Sequence, residues 1–329
     1  MPELIRTLRL RDLLLLFIGS VIGSGIFRTP GPILRQVGGS VGLSLLVWVV
    51  GGVLSLLGAL TYAELAAANP EAGGLYCYIR DGFGRLAAFL YGWCLFLVIA
   101  SGSVAALARA FSEYLARVLP ISPVEQTAAA VLMIGVVTVI NVWGTRKSSD
   151  LQNWTTLVKM GIIVILSALL LAFGHHAREI PSAFGAVQHG LGLWSNFGLA
   201  MIAVLWAYEG WQFGIGLGAW SAVLVCAGEL GSFSALIGGV IFIGWIFYGL
   251  GAAAIFPFRR ASAGRPIPYR VPGYPWTPML FVLAAAAIVG NAVYLAFRDP
   301  SQFKNLAAAI LLFLIGLPAY FFWRKRAAS

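Results

Sequence analysis

Residues 19–27 read GSVIGSGIF and lie inside the first long apolar run of the chain. Gly19 and Gly23 are four residues apart, a spacing that favours close packing against a neighbouring membrane helix. Residues 23–25, however, are three consecutive poor helix formers. They favour a second interpretation, an interrupted helix, because a break inside a membrane is tolerated where the protein uses the freed backbone groups.

The composition identifies the solvent around this stretch. The chain has 329 residues, of which 60% are hydrophobic and 10% charged, and its mean hydropathy is +0.88. A water-soluble domain has a lower apolar share, so we expect an all-α polytopic membrane protein. The first apolar run continues past Ile26 without a cleavage site of the A-x-A kind, and we interpret it as a span rather than a signal peptide.

Apolar runs of about 20 residues, the length needed to cross a bilayer, recur along the chain. They lie at 13–36, 41–67, 86–108, 128–143, 155–173, 275–297 and 304–323. The segment 194–257 has no long polar interruption and is long enough for about three more spans. We place its breaks at 214–218 (GIGLG) and at 229–237, so the sequence predicts about ten transmembrane helices.

The basic residues set the expected orientation. An even number of spans places both termini on one side of the membrane, and both tails carry basic clusters. These are Arg6, Arg9, Arg11, Arg324, Lys325 and Arg326. Because basic segments stay in the cytoplasm, we expect an integral protein of the plasma (inner) membrane with both termini cytoplasmic. This distribution also explains the net charge of +10, so the lipid bilayer is an expected partner and nucleic acid is not.

A transporter with one interrupted helix is expected to have a second at a matching place in the other half of the chain. Residues 206–218, WAYEGWQFGIGLG, at the start of the predicted sixth span, have the composition for it. Glu209 and Gly210 stand there beside Trp206 and Tyr208. An acid within a span is a functional-site candidate, and the alternative is a loop-edge glutamate that faces water.

Two interrupted helices favour an amino acid as the ligand. The break exposes backbone N–H groups at the positive end of one half-helix, which suit a carboxylate, and carbonyls at the end of another, which suit an ammonium group.

Lys159 lies about one turn inside the cytoplasmic end of span five, and two interpretations of it remain open. Its long side chain can extend to the membrane interface. Alternatively, its ammonium occupies the place of a sodium ion and donates to carbonyls of the unwound first helix. Residue spacing does not separate the two.

Six stretches, in this order, resemble signature sequences of the amino acid-polyamine-organocation superfamily of permeases, and within it the L-type amino acid transporter group. They are IGSGIF (22–27), YAELAAANPEAGGLYCYI (62–79), INVWGTRKSSDLQNWTTLVK (140–159), WAYEGW (206–211), GWIFYGL (244–250) and YRVPGYPWTP (269–278). The resemblance implies a LeuT-like inverted-repeat transporter fold with alternating access and with helices 1 and 6 interrupted. Its parts would be one transporter domain (1–329), made of a first five-helix repeat (1–173), an incomplete second repeat (194–257) and two C-terminal helices (275–323).

The resemblance also implies roles for single residues. The substrate-binding set would be Val21, Gly23, Ser24, Gly25, Trp206, Tyr208, Glu209 and Gly210. The amides of Ser24 and Gly25 would hold the substrate carboxylate, and the carbonyls of Val21, Trp206 and Glu209 its amino group. The implied function is a sodium-independent amino acid permease or exchanger.

Three further roles follow from the same resemblance. Trp206 and Tyr208 would form part of a hydrophobic gate. Lys159 matches the lysine that replaces sodium in sodium-independent members. Glu209 stands where some relatives place an acid that favours cationic substrates.

The chain departs from the family's usual twelve spans. WAYEGWQF is followed within a few residues by a stretch at 219–250 that resembles spans nine and ten. The second half of span six, spans seven and eight and the start of span nine therefore have no counterpart. An alternative function follows, an internally deleted, non-transporting remnant that at most binds amino acids or a partner. The sequence does not indicate which partner subunit that would be.

Enzymatic and channel functions are not expected. The histidines His175, His176 and His189 fall in the predicted outer loop without an accompanying acid or cysteine pattern, so we interpret them as solvated rather than metal-bound. The three cysteines Cys77, Cys94 and Cys226 show no CxxC or metal-ligand spacing, and an odd number cannot close a full disulfide set. No cofactor is expected. A channel would need rings of like charge or carbonyl filters, and the sequence indicates neither.

Overall fold

The computed structural model describes residues 10–69, 73–142, 145–173, 191–208, 224–226, 232–262, 267–298 and 300–326, and the regular elements within these ranges are helices. They are α1 (Leu10–Val21), α2 (Gly25–Arg28), α3 (Pro30–Gln36), α4 (Val41–Ala68), α5 (Leu75–Phe83), α6 (Arg85–Cys94), a π-helical segment (Leu95–Ala100), α7 (Ser101–Val118), α8 (Pro123–Val142), α9 (Thr145–Phe173), α10 (Leu191–Tyr208), α11 (Phe233–Ala253), α12 (Ile255–Ala261), α13 (Trp276–Ala296) and α14 (Pro300–Arg326).

Within the described ranges, seven helical stretches are long and apolar enough to cross a membrane. They are Val41–Ala68, Arg85–Val118, Pro123–Val142, Asp150–Phe173, Phe233–Ala261, Trp276–Ala296 and Leu306–Arg324. Two shorter apolar stretches, Ile18–Arg28 and Trp194–Tyr208, accompany them. The all-α polytopic class predicted from composition is therefore confirmed.

The start of α8 shows what a count of apolar residues misses. The helix begins at Pro123, five residues before the predicted run, because its first turn is polar. The Ser122 amide donates to the Glu125 carboxylate at 2.7 Å, and the Glu125 amide donates to the Ser122 hydroxyl at 3.4 Å. This reciprocal capping box, with proline at the first helical position, is a local signal for the start of a helix.

The predicted breaks of the segment 194–257 have different outcomes. The Ser232 hydroxyl accepts a hydrogen bond from the Ala235 amide at 3.4 Å and caps α11, which begins at Phe233. The break predicted over 229–237 is therefore wrong in its last five residues, which are helical because this cap starts the helix early. The break predicted at 214–218 lies outside the described residues.

Helix α11 lies at the centre of the bundle. It packs against α7, α10, α13 and α14, and most of its side chains are buried. By contrast, α8 and α9 expose large apolar residues such as Leu132, Val164 and Leu171. Apolar side chains on outer faces, with backbone groups bonded inside each helix, suit contact with lipid. On the inner side, α9 packs against α1, and α10 packs against α2, α3 and α4.

A buried ion pair joins α4 to α12. Glu64 is completely buried, and its carboxylate accepts hydrogen bonds from Arg259 Nε at 2.7 Å and Nη2 at 2.6 Å. The Val271 amide donates a third bond at 2.6 Å, and the Arg259 guanidinium lies 3.7 Å from the centroid of the Tyr274 ring. We call these four residues the Glu64 clamp.

Candidate functional site

The first membrane helix is interrupted between α1 and α2. Helix α1 ends at Val21, residues 22–24 are not helical, and α2 begins at Gly25. The Gly23 amide bonds to the Val21 carbonyl at 2.9 Å instead of to the Gly19 carbonyl four residues back. The interrupted first helix predicted from the GSG stretch is therefore confirmed, with the break one residue earlier than the three residues that motivated it.

The break leaves polar groups open. Ser24 stands at the N-cap of α2, but its side chain makes no capping bond. Its hydroxyl oxygen is buried and has no partner in the described part of the chain. Within the same ranges, the amides of Ser24 and Gly25 donate to no backbone carbonyl. Since the first N–H groups of a helix carry partial positive charge, this end of α2 favours an anionic group.

Helix α10 touches the break at Gly25. A Cβ atom on Gly25 would lie 2.5 Å from the Cα atom and 2.7 Å from the Cβ atom of Ala207, so only glycine permits this approach. Trp206 and Tyr208 flank Ala207 along α10. Tyr208 packs edge-on against Trp48, with ring centroids 6.0 Å apart, and its hydroxyl donates to the Trp48 carbonyl at 3.3 Å.

Lys159 reaches the first helix from α9. Its Nζ atom donates to the Gly19 carbonyl at 2.9 Å, and this is the carbonyl that the Gly23 amide leaves free. Gly19 lies so close to α9 that a Cβ atom there would sit 2.0 Å from the Thr156 hydroxyl. Of the two interpretations, the structure contains the contact required by the second. The replacement of a sodium ion by this ammonium stays a prediction.

Part of the predicted site lies outside the described residues. Glu209 and Gly210 belong to that part, so the carbonyl of Glu209, its acid and the interruption of the sixth span stay predictions. The histidines His175, His176 and His189 also lie outside the described residues. Among the residues that the structure describes, no three His, Cys, Asp or Glu side chains come together as a metal site.

One cluster beside the break was not predicted. Arg28, at the end of α2, forms an ion pair with Glu113 of α7, and its guanidinium carbon lies 3.9 Å from the centroid of the Phe233 ring. Phe233 in turn packs edge-on against Trp206, with centroids 6.0 Å apart. We call these four residues the Arg28 column. Its members are far apart in sequence, and no local pattern links them.

A helical membrane bundle whose first membrane helix is broken against a second helix, with open backbone groups at the break, has the architecture of a secondary transporter. The sequence profile described as "Amino acid permease" matches residues 8–256. The chain belongs to this family, within the amino acid-polyamine-organocation superfamily.

Curated relatives agree with this assignment. The chain is 35% identical over 205 residues to the b(0,+)-type amino acid transporter 1 of Oryctolagus cuniculus, covering 60% of this chain and 41% of that protein. It is 33% identical over 198 residues to the serine/threonine exchanger SteT of Bacillus subtilis (strain 168), covering 60% and 44%. It is 36% identical over 211 residues to the large neutral amino acids transporter small subunit 2 of Homo sapiens, covering 60% and 38%. The chain thus spans about two fifths of the length of the relatives it matches. By their names, the family and these relatives are transporters rather than enzymes.

Proposed function

We propose that this protein is a sodium-independent amino acid permease or exchanger that works by alternating access. The observation that carries the proposal is the break of the first helix, where a buried hydroxyl and two amides stand open next to Gly25, which contacts Ala207 of α10. Family membership supports it, and one similar protein is named as an exchanger.

The break has the chemistry that a zwitterion needs. A substrate carboxylate would accept hydrogen bonds from the amides of Ser24 and Gly25 and from the Ser24 hydroxyl, at the positive end of α2. The substrate ammonium would donate to the carbonyls of Val21, Trp206 and Glu209. Trp206 and Tyr208 would cover the bound substrate as part of a hydrophobic gate, with Gly23 and Gly210 leaving room for the backbone to approach.

Sodium independence rests on Lys159. Its Nζ atom donates to the Gly19 carbonyl beside the break. A cation at this place would stabilise the free carbonyl end of α1 without a bound ion. Glu209 lies two residues after Ala207 along the chain. Its carboxylate would favour a cationic substrate, so cationic amino acids are a candidate substrate class.

The proposal includes the topology and the domain plan. Both termini would be cytoplasmic in a plasma (inner) membrane, because the two tails are basic. The first repeat would occupy 1–173, the incomplete second repeat 194–257 and the two C-terminal helices 275–323, in one transporter domain over 1–329.

A second candidate function is binding without transport. The observation that favours it is internal to the sequence: the stretch at 219–250, which resembles spans nine and ten, follows WAYEGWQF within a few residues. In this case the break would still hold an amino acid, but the bundle would lack helices needed to alternate between its two open states.

Uptake and counterflow in liposomes test both candidates. The purified chain is reconstituted and offered a mixed set of radiolabelled amino acids, with and without sodium and a pH gradient. We expect counterflow of at least one amino acid without sodium. Binding by the folded protein without counterflow would favour the second candidate, and absence of both would contradict the two.

A matched pair of variants links the result to the break. Gly25→Leu should abolish binding and counterflow, because a side chain at this position collides with Ala207. Gly161→Leu is the control, since Gly161 is exposed on α9 with nothing within 4 Å of the added Cβ atom. Should Gly25→Leu not fold, Ser24→Ala makes the same test without added bulk.

A further inference from the structure

The Arg28 column stands directly beyond the break. Gly25 touches Ala207, and Arg28 lies three residues further along the same helical path, a rise of about 4.5 Å. Trp206, the neighbour of Ala207, forms the base of the column. Phe233 covers the edge of Trp206, and the Arg28 guanidinium covers Phe233. The column therefore lies about one helical turn from the break, on the side to which α2 continues.

We propose that the Arg28 column is a gate closed by an ion pair, and that the break is open from this end only when Arg28 and Glu113 separate and Phe233 moves off Trp206. The inference rests on the proposed function for the position of the substrate. It adds Arg28, Glu113 and Phe233 as gating residues.

The column joins four different helices. Arg28 belongs to α2, Glu113 to α7 and Trp206 to α10, and Phe233 is the first residue of α11. Two of the three contacts, those of Arg28 with Glu113 and with Phe233, hold α2 against α7 and α11. Since α2 follows a break in the chain, it can tilt about residues 22–24 once these contacts part.

The strength of the ion pair suits a contact that opens and closes. The Arg28 side chain is 22% exposed and that of Glu113 is 39% exposed, so water reaches both charges. Partly solvated pairs are weak and are screened by salt. Glu64 and Arg259, by contrast, form a pair in which the carboxylate is completely buried and has three donors. The Arg28–Glu113 pair can therefore break and re-form, whereas the Glu64–Arg259 pair is suited to a contact that stays formed.

Thiol accessibility tests the gate without requiring transport. Ser24→Cys places a thiol at the break in a Cys226→Ser background, because Cys226 is the exposed one of the three native cysteines. With a cytoplasmic N-terminus, Arg28 at the end of the first membrane helix faces the outside. Intact cells expose this outer face to membrane-impermeant methanethiosulfonates, and inside-out vesicles expose the cytoplasmic face. We expect slow labelling from the Arg28 face at low salt and faster labelling at high salt.

Glu113→Gln is the decisive variant. It keeps the shape of the side chain and removes the charge, so labelling from the Arg28 face should rise about fivefold, the effect of losing a partly exposed ion pair. The rate should then no longer respond to salt. A cationic and an anionic reagent should both react faster, whereas a mere change of local potential would move the two in opposite directions. Phe233→Leu, which removes the ring between Arg28 and Trp206, should also raise the rate.

Arg117→Gln is the control. Arg117 lies one turn beyond Glu113 on α7, where it is exposed, and its guanidinium carbon is 5.1 Å from the centroid of the Tyr114 ring. It carries the same positive charge as Arg28 but does not belong to the column. Its removal should leave the labelling rate unchanged. The proposal is overturned if Glu113→Gln labels like the parent, or if the parent does not respond to salt. If the protein takes up amino acids but labelling is unchanged in Glu113→Gln, the gate is contradicted and the proposed function is not. If labelling follows the expected pattern but no amino acid is taken up, the proposed function is contradicted and the gate is not.

Discussion

The Glu64 clamp and the break at residues 22–24 place polar groups inside the same apolar bundle, with opposite outcomes. At the clamp, a completely buried carboxylate receives three hydrogen bonds from Arg259 and Val271. At the break, the buried hydroxyl of Ser24 has no partner in the described part of the chain. Because an unsatisfied buried polar group is costly, a protein retains one where a ligand or water completes it. We therefore expect the clamp to serve stability, and we propose that the break serves binding.

The largest expected effect comes from opening the clamp. Glu64→Gln leaves the Arg259 guanidinium without a charged partner, and we expect a loss of about 3 kcal/mol in the free energy of unfolding. The measurement is thermal unfolding of the purified protein in detergent. Asp81→Asn serves as the control, because Asp81 pairs with Arg80 at the surface and such pairs contribute below about 1 kcal/mol. Equal effects of the two substitutions would contradict a stabilising role of the clamp.

A smaller effect on stability is expected at Lys159, which contacts the first helix beside the break. Lys159→Met keeps the length of the side chain but removes the donor to the Gly19 carbonyl. We expect a loss of about 1–2 kcal/mol of stability, together with a severe loss of counterflow. Lys304→Met, at an exposed position of α14, should change neither. Normal counterflow by Lys159→Met would show that the ammonium is not needed beside the break.

The smallest effect on stability is expected at Ser24. Ser24→Ala removes a buried hydroxyl that has no partner, so the free energy of unfolding should change by less than about 1 kcal/mol. Amino acid binding should nevertheless weaken about tenfold, because one hydrogen bond to a charged carboxylate is lost. Ligand-induced shifts of the unfolding temperature measure both quantities.

Ser103→Ala is the matched control for Ser24→Ala. The Ser103 hydroxyl is buried but donates to the Ile99 carbonyl at 2.7 Å. Its loss should lower stability and leave binding unchanged, which is the reverse pattern. If both serines behave alike, the distinction between satisfied and open polar groups fails.

The sequence predicted the features of the fold and the site that depend on short segments. Apolar runs located the membrane helices, and the GSG stretch located the break of the first one. The start of α8 was predictable from its Ser-x-x-Glu pattern but not from hydropathy, because a capping box is polar. At Lys159 the sequence left two interpretations, since a long side chain on a helix can point along the membrane or across to another helix.

The sequence by itself determined a bundle of membrane helices with an interrupted first member, because hydrophobicity and helix propensity act over a few turns of one chain segment. Only the tertiary structure decided which charges meet. Arg28 and Glu113 are 85 residues apart, and Arg259 and Glu64 are 195 apart. Their pairing depends on how four or more helices pack and rotate against one another, and no spacing within a single helix records that arrangement.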